Sequence, residues 1–88
     1  MMIPNVKLNQ IIQIGEQYIG PKAQIVHIYS DEDRKIGIFG DIQVVYYQNK
    51  LKGIKDDVVW GGEKWKFKKD GPGGTYVDID QYDPILKS

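Results

Sequence analysis

The sequence predicts a single α+β domain over residues 1–88, with one N-terminal amphipathic helix packed on an antiparallel sheet of about five strands. Two patterns support this fold class. Apolar residues near the N-terminus recur at three- and four-residue steps, which is typical of a helix. After Pro21, short runs rich in β-branched and aromatic residues alternate with glycine, which is typical of strands and turns. A chain of 88 residues supports one core.

The predicted helix runs from about residue 6 to residue 19. Asn5 is a suitable N-cap, and Gly20-Pro21 is a stop, because glycine accepts the left-handed C-terminal conformation and proline cannot continue a helix. The residues on its apolar side are Val6, Leu8, Ile11, Ile12, Gly15, Tyr18 and Ile19.

We expect the strands at 24–29, from about 36 to 47, at 51–54 with a continuation at 58–60, at 63–68 and at 75–80. We expect residues 48–50 to form a tight hairpin turn and the glycine-rich residues 69–74 to form a flexible hairpin loop. In 63–68, Trp65 and Phe67 should face inward and the lysines outward. The charged run 30–35 is expected to be a loop, and residues 82–86 a tail whose apolar end packs on the sheet.

Composition excludes several classes of protein. The formal net charge is 0, so no global field gathers nucleic acid or anionic membrane. Cysteine is absent, which removes disulfides and thiolate chemistry. No apolar run approaches the ~20 residues that span a bilayer, and the N-terminus lacks the features of a signal peptide. We therefore expect a cytoplasmic protein.

The metal candidate is the set Asp78, Asp80 and Asp83. Two carboxylates two residues apart on a strand share one face, where a hard cation could bridge them. The glycine and closing glutamate of a calcium loop are missing, so solvated carboxylates, or pairs with lysines on the next strand, are the favoured interpretation. We expect no metal and no cofactor.

Lys64, Lys66 and Lys68 form a basic stripe beside Trp60 and Trp65. Lysines interleaved with aromatic residues can hold single-stranded nucleic acid. Alternation turns the aromatic side chains away from the lysines, however, so a solvated strand face is favoured.

Catalytic residues are not predicted. His27 is the sole histidine and has no acidic or hydroxyl neighbour in sequence. The segment 71–74 lacks the flanking strand and helix, and the Lys-Ser/Thr ending, of a phosphate-binding loop.

Two acidic segments are candidate partner-binding surfaces, because clustered carboxylates accelerate association with a basic partner. Exposed tyrosines also suit interfaces. The residues predicted to contact a partner are Asp31, Glu32, Asp33, Tyr76, Asp78, Asp80, Tyr82 and Asp83. An open edge, at 24–29 or at the last strand, could also pair with a partner's sheet or with a second copy.

Three segments follow one another over residues 8–54: a helix end at Ile19-Gly20-Pro21, a strand start at Phe39-Gly40-Asp41 and a return strand Leu51-Lys52-Gly53-Ile54. This order resembles small bacterial immunity proteins encoded beside interbacterial toxins. The resemblance implies a non-enzymatic protein that binds a toxin and occludes its active site, and the acidic clusters would suit a basic toxin such as a nuclease. It assigns no functional residue. The alternatives are a phage or mobile-element protein that antagonises a host defence, and a single-stranded nucleic-acid binder that uses the lysine stripe.

Overall fold

A computed structural model describes residues 3–16, 19–47, 52–68 and 73–83. Within these ranges the chain forms six strands, one short α-helix and one 3-10 helix. The elements in chain order are β1 (Ile11–Gln13), β2 (Lys22–Ile28), α1 (Asp31–Ile36), β3 (Ile42–Tyr47), β4 (Lys52–Trp60), β5 (Trp65–Phe67), β6 (Thr75–Asp78) and the 3-10 helix (Ile79–Gln81).

The strands form one curled antiparallel sheet in the order β1-β2-β3-β4-β5, with β6 also on β4. The long β4 serves two partners on one edge, because its last residues pair with β5 and its first residues pair with β6. Curling brings the two ends of the sheet together. Ile14 forms a parallel bridge with Trp65, and the Gly15 N–H donates to the Trp65 carbonyl at 2.7 Å.

The predicted N-terminal helix is wrong, and with it the α+β fold class. Residues 11–13 form β1, which pairs with β2. Asn9 (φ 71°) and Gly15 (φ 72°) are both left-handed, a conformation that no right-handed helix contains. Isoleucine at 11, 12 and 14 favours a strand, and Ile12 and Ile14 face the core as alternate residues do.

The charged run predicted to be a loop contains the helix α1. The Ser30 side chain caps it by accepting from the Asp33 N–H at 3.1 Å. Acidic residues fill the first turn and basic residues the last, as the helix dipole favours, and Gly37 ends the helix at φ 86°. The strand predicted from about residue 36 therefore starts only at Ile42.

The remaining strands lie close to their predicted places. The strand expected at 51–54 and 58–60 is one continuous strand, β4, and the last strand ends at Asp78, where the 3-10 helix begins. The predicted edge at 24–29 is wrong, because β2 lies between β1 and β3. The predicted turn at 48–50, most of the predicted loop at 69–74 and the apolar end of the tail lie outside the described residues.

The concave side of the sheet holds the core. Trp65 is buried on it while Lys66 is exposed, as alternation predicts. A smaller cluster lies on the outer side of β3, where Ile79 from the 3-10 helix covers Val45. The buried members of the main core are Ile12, Ile14, Ala23, Ile25, Ile42, Val44, Tyr46, Ile54, Val58 and Trp65. Among the described residues, no helix has the length and apolar character needed to cross a bilayer.

Candidate functional site

An open cleft of about 810 Å³ lies between β1 and the turn that joins β4 to β5. Within the described residues, the backbones of the two ends of the curled sheet pair at Ile14 and Trp65 alone, and the cleft opens beside this bridge. Its walls include Ile11, Gln13 and Lys22 on one side and Trp60, Lys64 and Trp65 on the other.

The β1–β2 turn fixes one wall of the cleft. The Gln13 side-chain amide donates to the Gly20 carbonyl at 2.7 Å and to the Ile14 carbonyl at 3.1 Å. A Cβ atom on residue 20 would lie 1.7 Å from the Ile14 oxygen, so only glycine fits there. The glycine that the sequence marked as a helix stop is therefore required by a tight strand connection.

Two tryptophans form the aromatic wall. Trp60 and Trp65 are paired across β4 and β5, with ring centroids 5.1 Å apart in an edge-to-face arrangement. Trp65 is only 5% exposed and belongs to the core, whereas Trp60 is half-buried. The Trp60 backbone is fixed because its N–H donates to the Asp41 carboxylate at 2.8 Å.

Charges in the cleft balance, since two lysines and two glutamates line it. Lys64 Nζ forms an ion pair with Glu16 that joins the β4–β5 turn to the end of β1. The hydrogen bond from Lys64, and then its charge, lower the pKa of the Glu16 carboxyl. Lys22 and Glu63 are exposed.

The acidic run predicted to bind a partner lies on α1. Asp31 pairs with Arg34, and Asp33 is half-buried and forms part of the capped first turn. Glu32 is exposed, as is Asp31. This helix follows the end of β2 and precedes the start of β3.

The C-terminal residues predicted to bind a partner lie elsewhere. Tyr76 is 56% exposed, and Asp78 caps the 3-10 helix by accepting from the Asp80 N–H at 3.0 Å. Tyr82 packs against the outer cluster, and the Asp83 N–H donates to the Gln24 side chain at 2.9 Å.

These two acidic surfaces do not form one patch. Ile28 and Ile42, which flank α1, pair at the start of β3. At the other end of β3, Tyr47 pairs with Gly53, and Gly53 pairs with Val77 of β6. A strand of this length separates its ends by roughly 17 Å. The two acidic surfaces are therefore separate candidate sites for a partner.

The lysines of the predicted stripe diverge. Lys64 pairs with Glu16 in the cleft, and Lys68 Nζ donates to the Gly37 carbonyl at 3.1 Å. Lys66 is exposed, with its stem against Gly61. Strand alternation correctly predicted that Trp65 and Lys66 lie on opposite faces of β5. It did not predict that Lys64 lines the same cleft as both tryptophans.

A polar network around Asp57 also escaped the sequence analysis. Its carboxylate accepts from the Tyr29 hydroxyl at 2.8 Å, from the Gly40 N–H at 3.0 Å and from the Gln43 amide at 3.4 Å. Burial, followed by the bond to Asp57, raises the pKa of Tyr29 above its usual range. The sequence feature that could have indicated this network is the pair Asp56-Asp57, which lies within a strand of otherwise mostly apolar or basic residues. This carboxylate joins the α1 segment to β4.

The candidate metal and catalytic residues are placed as follows. Asp78 and Asp80 lie at the 3-10 helix, and the part of the chain that is described contains no group of three or more histidine, aspartate or glutamate side chains positioned to hold a metal ion. His27 is exposed, and its ring contacts Tyr29 edge-on with centroids 4.7 Å apart.

Comparison with protein-family models, with curated proteins and with solved structures returns no match.

Proposed function

We propose that this chain is a non-enzymatic protein-binding module whose partner occupies the cleft between β1 and the β4–β5 turn. The observation that carries the proposal is the half-buried Trp60, which lies beside buried Trp65 at the mouth of a concave space. Tryptophan is enriched among residues that dominate binding energy, because it buries a large rigid surface at low entropic cost.

The rigidity of the cleft supports the same proposal. Trp60 is anchored through its backbone to Asp41, and the opposite wall is held by Gln13 and Gly20. A wall that is already fixed loses little conformational entropy on binding, so more of the contact energy appears as affinity.

The narrower form of the proposal is an immunity protein that occludes the active site of a toxin. The exposed carboxylates Asp31 and Glu32 support it, since they would attract a basic target. A phage or mobile-element antagonist of host defence uses the same kind of binding. The neighbouring genes distinguish the two, because an adjacent toxin gene favours the first and a block of phage genes the second.

A nucleic-acid binder receives less support from the geometry. Phosphate recognition needs an excess of positive charge, whereas lysines and glutamates balance in the cleft. Lys64 and Lys68 are each engaged within the protein. Binding to single-stranded DNA that weakens steeply with added salt would favour this alternative.

The proposal is tested by covalent cross-linking and capture of a partner in cells of the native host, with three forms of the chain. Trp60→Ala should weaken the interaction with the identified partner by about 30-fold or more, as expected for an interface residue worth ~2 kcal/mol. The matched control is Asp78→Asn with Asp80→Asn, in which asparagine keeps the capping oxygen. This control should bind within about threefold of the wild type, a difference below ~0.7 kcal/mol.

Trp60→Phe tests whether any loss results from altered folding, because it keeps an aromatic ring in the wall. It should retain more affinity than Trp60→Ala at an unchanged urea midpoint. Loss of binding in the double asparagine variant, with full binding by Trp60→Ala, would place the partner on the C-terminal surface and contradict the proposal.

A further inference from the structure

Within the described residues, the outer edge of β1 pairs only at its end, through the bridge between Ile14 and Trp65, so the cleft contains a largely free strand edge as well as an aromatic wall. We infer that the partner enters it as an extended peptide segment that adds a strand to the free edge of β1. This inference rests on the proposed function and specifies its binding mode and the chemistry of the partner.

The alternating direction of the backbone hydrogen bonds along β1 identifies the free edge. The Ile25 N–H donates to the Gln10 carbonyl at 2.9 Å, and the Ile14 N–H donates to the Pro21 carbonyl at 3.0 Å. In an antiparallel pair, alternate residues turn both backbone groups toward the partner strand. Residues 10, 12 and 14 therefore face β2, and the N–H groups of Ile11 and Gln13 point the other way, as does the Ile11 carbonyl.

The same edge already pairs with β5 one step further along the chain. The Gly15 N–H points to the same side of the strand as the N–H groups of Ile11 and Gln13, and it donates to the Trp65 carbonyl. Pairing between the two ends of the sheet is confined to Ile14 and Trp65 within the described residues. The cleft begins where the backbone before Trp65 turns away from β1, at Glu63 and Lys64.

An extended polypeptide matches this surface chemically. Its N–H and carbonyl groups can satisfy the unpaired groups of Ile11 and Gln13, which is how peptides add to sheet edges. Its side chains alternate, so every second one can approach Trp60. A volume of about 810 Å³ is sufficient for an apolar side chain and its backbone.

Charge complementarity specifies the occupant further. With two lysines and two glutamates, the cleft favours a segment of low net charge over a polyanion. Lys22, opposite Gln13, suits a carboxylate near one end of the segment, and exposed Glu63 suits a cation. The partner segment is therefore an apolar residue flanked by polar or oppositely charged residues.

A second copy of this chain does not fit the same edge. The free groups of β1 lie inside a concave cleft beside the β4–β5 turn. In a symmetric pair, each β1 would have to leave its own cleft in order to reach the other. An isolated extended segment avoids this steric conflict.

The inference is tested with the full chain and peptides selected from a library of short random sequences. Ile11→Pro removes the N–H that faces the cleft and leaves the hydrogen bonds of residues 10, 12 and 14 to β2 in place, and proline is tolerated at a free strand edge. It should weaken binding of the selected peptides about tenfold, as expected for one lost hydrogen bond of ~1–1.5 kcal/mol. The matched control Ile11→Val keeps the N–H and should bind like the wild type.

A scan of single N-methylated backbone positions in a selected peptide provides a test that leaves the protein unchanged. Strand addition predicts that affinity falls at alternate peptide positions, because only alternate N–H groups bond to β1. An N-methyl profile without this alternation, a library that yields no binder, or a self-associated chain that Ile11→Pro dissociates would each overturn the inference.

If Trp60→Ala abolishes capture of the native partner while Ile11→Pro and N-methylation have no effect, the proposed function stands and strand addition is wrong. If neither Trp60→Ala nor Ile11→Pro has an effect, both proposals fall.

Discussion

The α1 end of the sheet and the cleft both contain charged and aromatic side chains, but they use them differently. At the α1 end, the Asp57 carboxylate accepts three hydrogen bonds, and Tyr29 stacks on Phe39 with ring centroids 5.0 Å apart. In the cleft, backbone groups of Ile11 and Gln13 face open space beside a half-buried Trp60.

The difference separates a stabilising region from the proposed binding region. Buried polar groups that are fully paired hold a fold together, and they have no remaining capacity for a ligand. Unpaired strand edges are a liability unless they are protected or used. The concave shape of the cleft protects the β1 edge from another sheet and leaves it accessible to a single strand. Variants in the two regions should therefore change different properties.

The largest effect is expected for Gly20→Ala, which tests the scaffold of the cleft. The new Cβ would lie 1.7 Å from the Ile14 oxygen, so the β1–β2 turn must move. We expect a loss of about 3 kcal/mol or more in the free energy of unfolding, measured by urea denaturation. The matched control is Gly37→Ala at the end of α1, which has open space around it and pays only for its positive φ, at about 1–2 kcal/mol. Equal losses in the two variants would show that the β1–β2 turn is not rigid.

Next is Asp57→Ala, which breaks the network at the α1 end. Three donors lose their acceptor, so the free energy of unfolding should fall by about 2–4 kcal/mol. Peptide affinity, measured under conditions where the variant is folded, should not change. A loss below about 1 kcal/mol would mean that the network contributes little to stability. Reduced peptide affinity of the folded variant would contradict the separation of the two regions.

A smaller effect is expected for Tyr29→Phe, with Tyr46→Phe as its counterpart in the core. Loss of the Tyr29–Asp57 bond should cost about 1–2 kcal/mol. The Tyr46 hydroxyl is buried without a hydrogen-bond partner among the described residues, so its removal should cost about 0 kcal/mol. A Tyr46→Phe loss as large as that of Tyr29→Phe would contradict the assignment of hydroxyl partners.

The same two tyrosines predict an alkaline limit to stability. Burial, followed by the charge of Asp56, raises the pKa of Tyr46 to about 12, and the pKa of Tyr29 is raised as well. Because the unfolded chain loses these protons first, their contribution is present below the ordinary tyrosine pKa of about 10 and is lost as the pH rises through the folded values. Urea midpoints measured from neutral to alkaline pH should fall above about pH 10 in the wild type, and less steeply in Tyr29→Phe.

The smallest effect is expected for Glu16→Gln, which removes the ion pair across the end of the cleft. Both partners are at least partly exposed, so solvent screens the pair. Since the folded pKa of Glu16 is lowered, its contribution exists above the ordinary carboxyl pKa and disappears as the pH falls through the folded value. The difference in urea midpoint between wild type and Glu16→Gln should be small at neutral pH and vanish in acid or high salt. A difference that grows in acid would contradict the pairing.

Most strand positions after Pro21 could be predicted, although β3 starts later than expected, because local composition and tertiary context agree there. Val44 and Val45 are both buried, one in the main core and one under Ile79, and the uninterrupted apolar run in β3 shows both environments. The N-terminal segment was ambiguous, because its isoleucines satisfy both a helical step and strand alternation. The left-handed residues Asn9 and Gly15 decide the outcome, and neither conformation is dictated by the sequence alone.

The sequence of α1 contains a helix-capping pattern, which was overlooked because the segment is so highly charged. Ser30 followed three residues later by Asp33, with basic residues and then Gly37, is the pattern of a capped helix. The cleft could not be predicted from the sequence, because it depends on where the curled sheet meets itself. The sequence placed Trp60 and Lys64 on different predicted strands, and the turn between β4 and β5 brings them together.

The most direct measurement is amide hydrogen exchange of the full chain with and without a bound partner or selected peptide. Binding in the cleft predicts that the Ile11 and Gln13 amides, which face away from β2, become protected while α1 (Asp31–Ile36) does not change. Protection confined to α1 or to β6 (Thr75–Asp78), with Ile11 and Gln13 exchanging as in the free chain, would contradict the account.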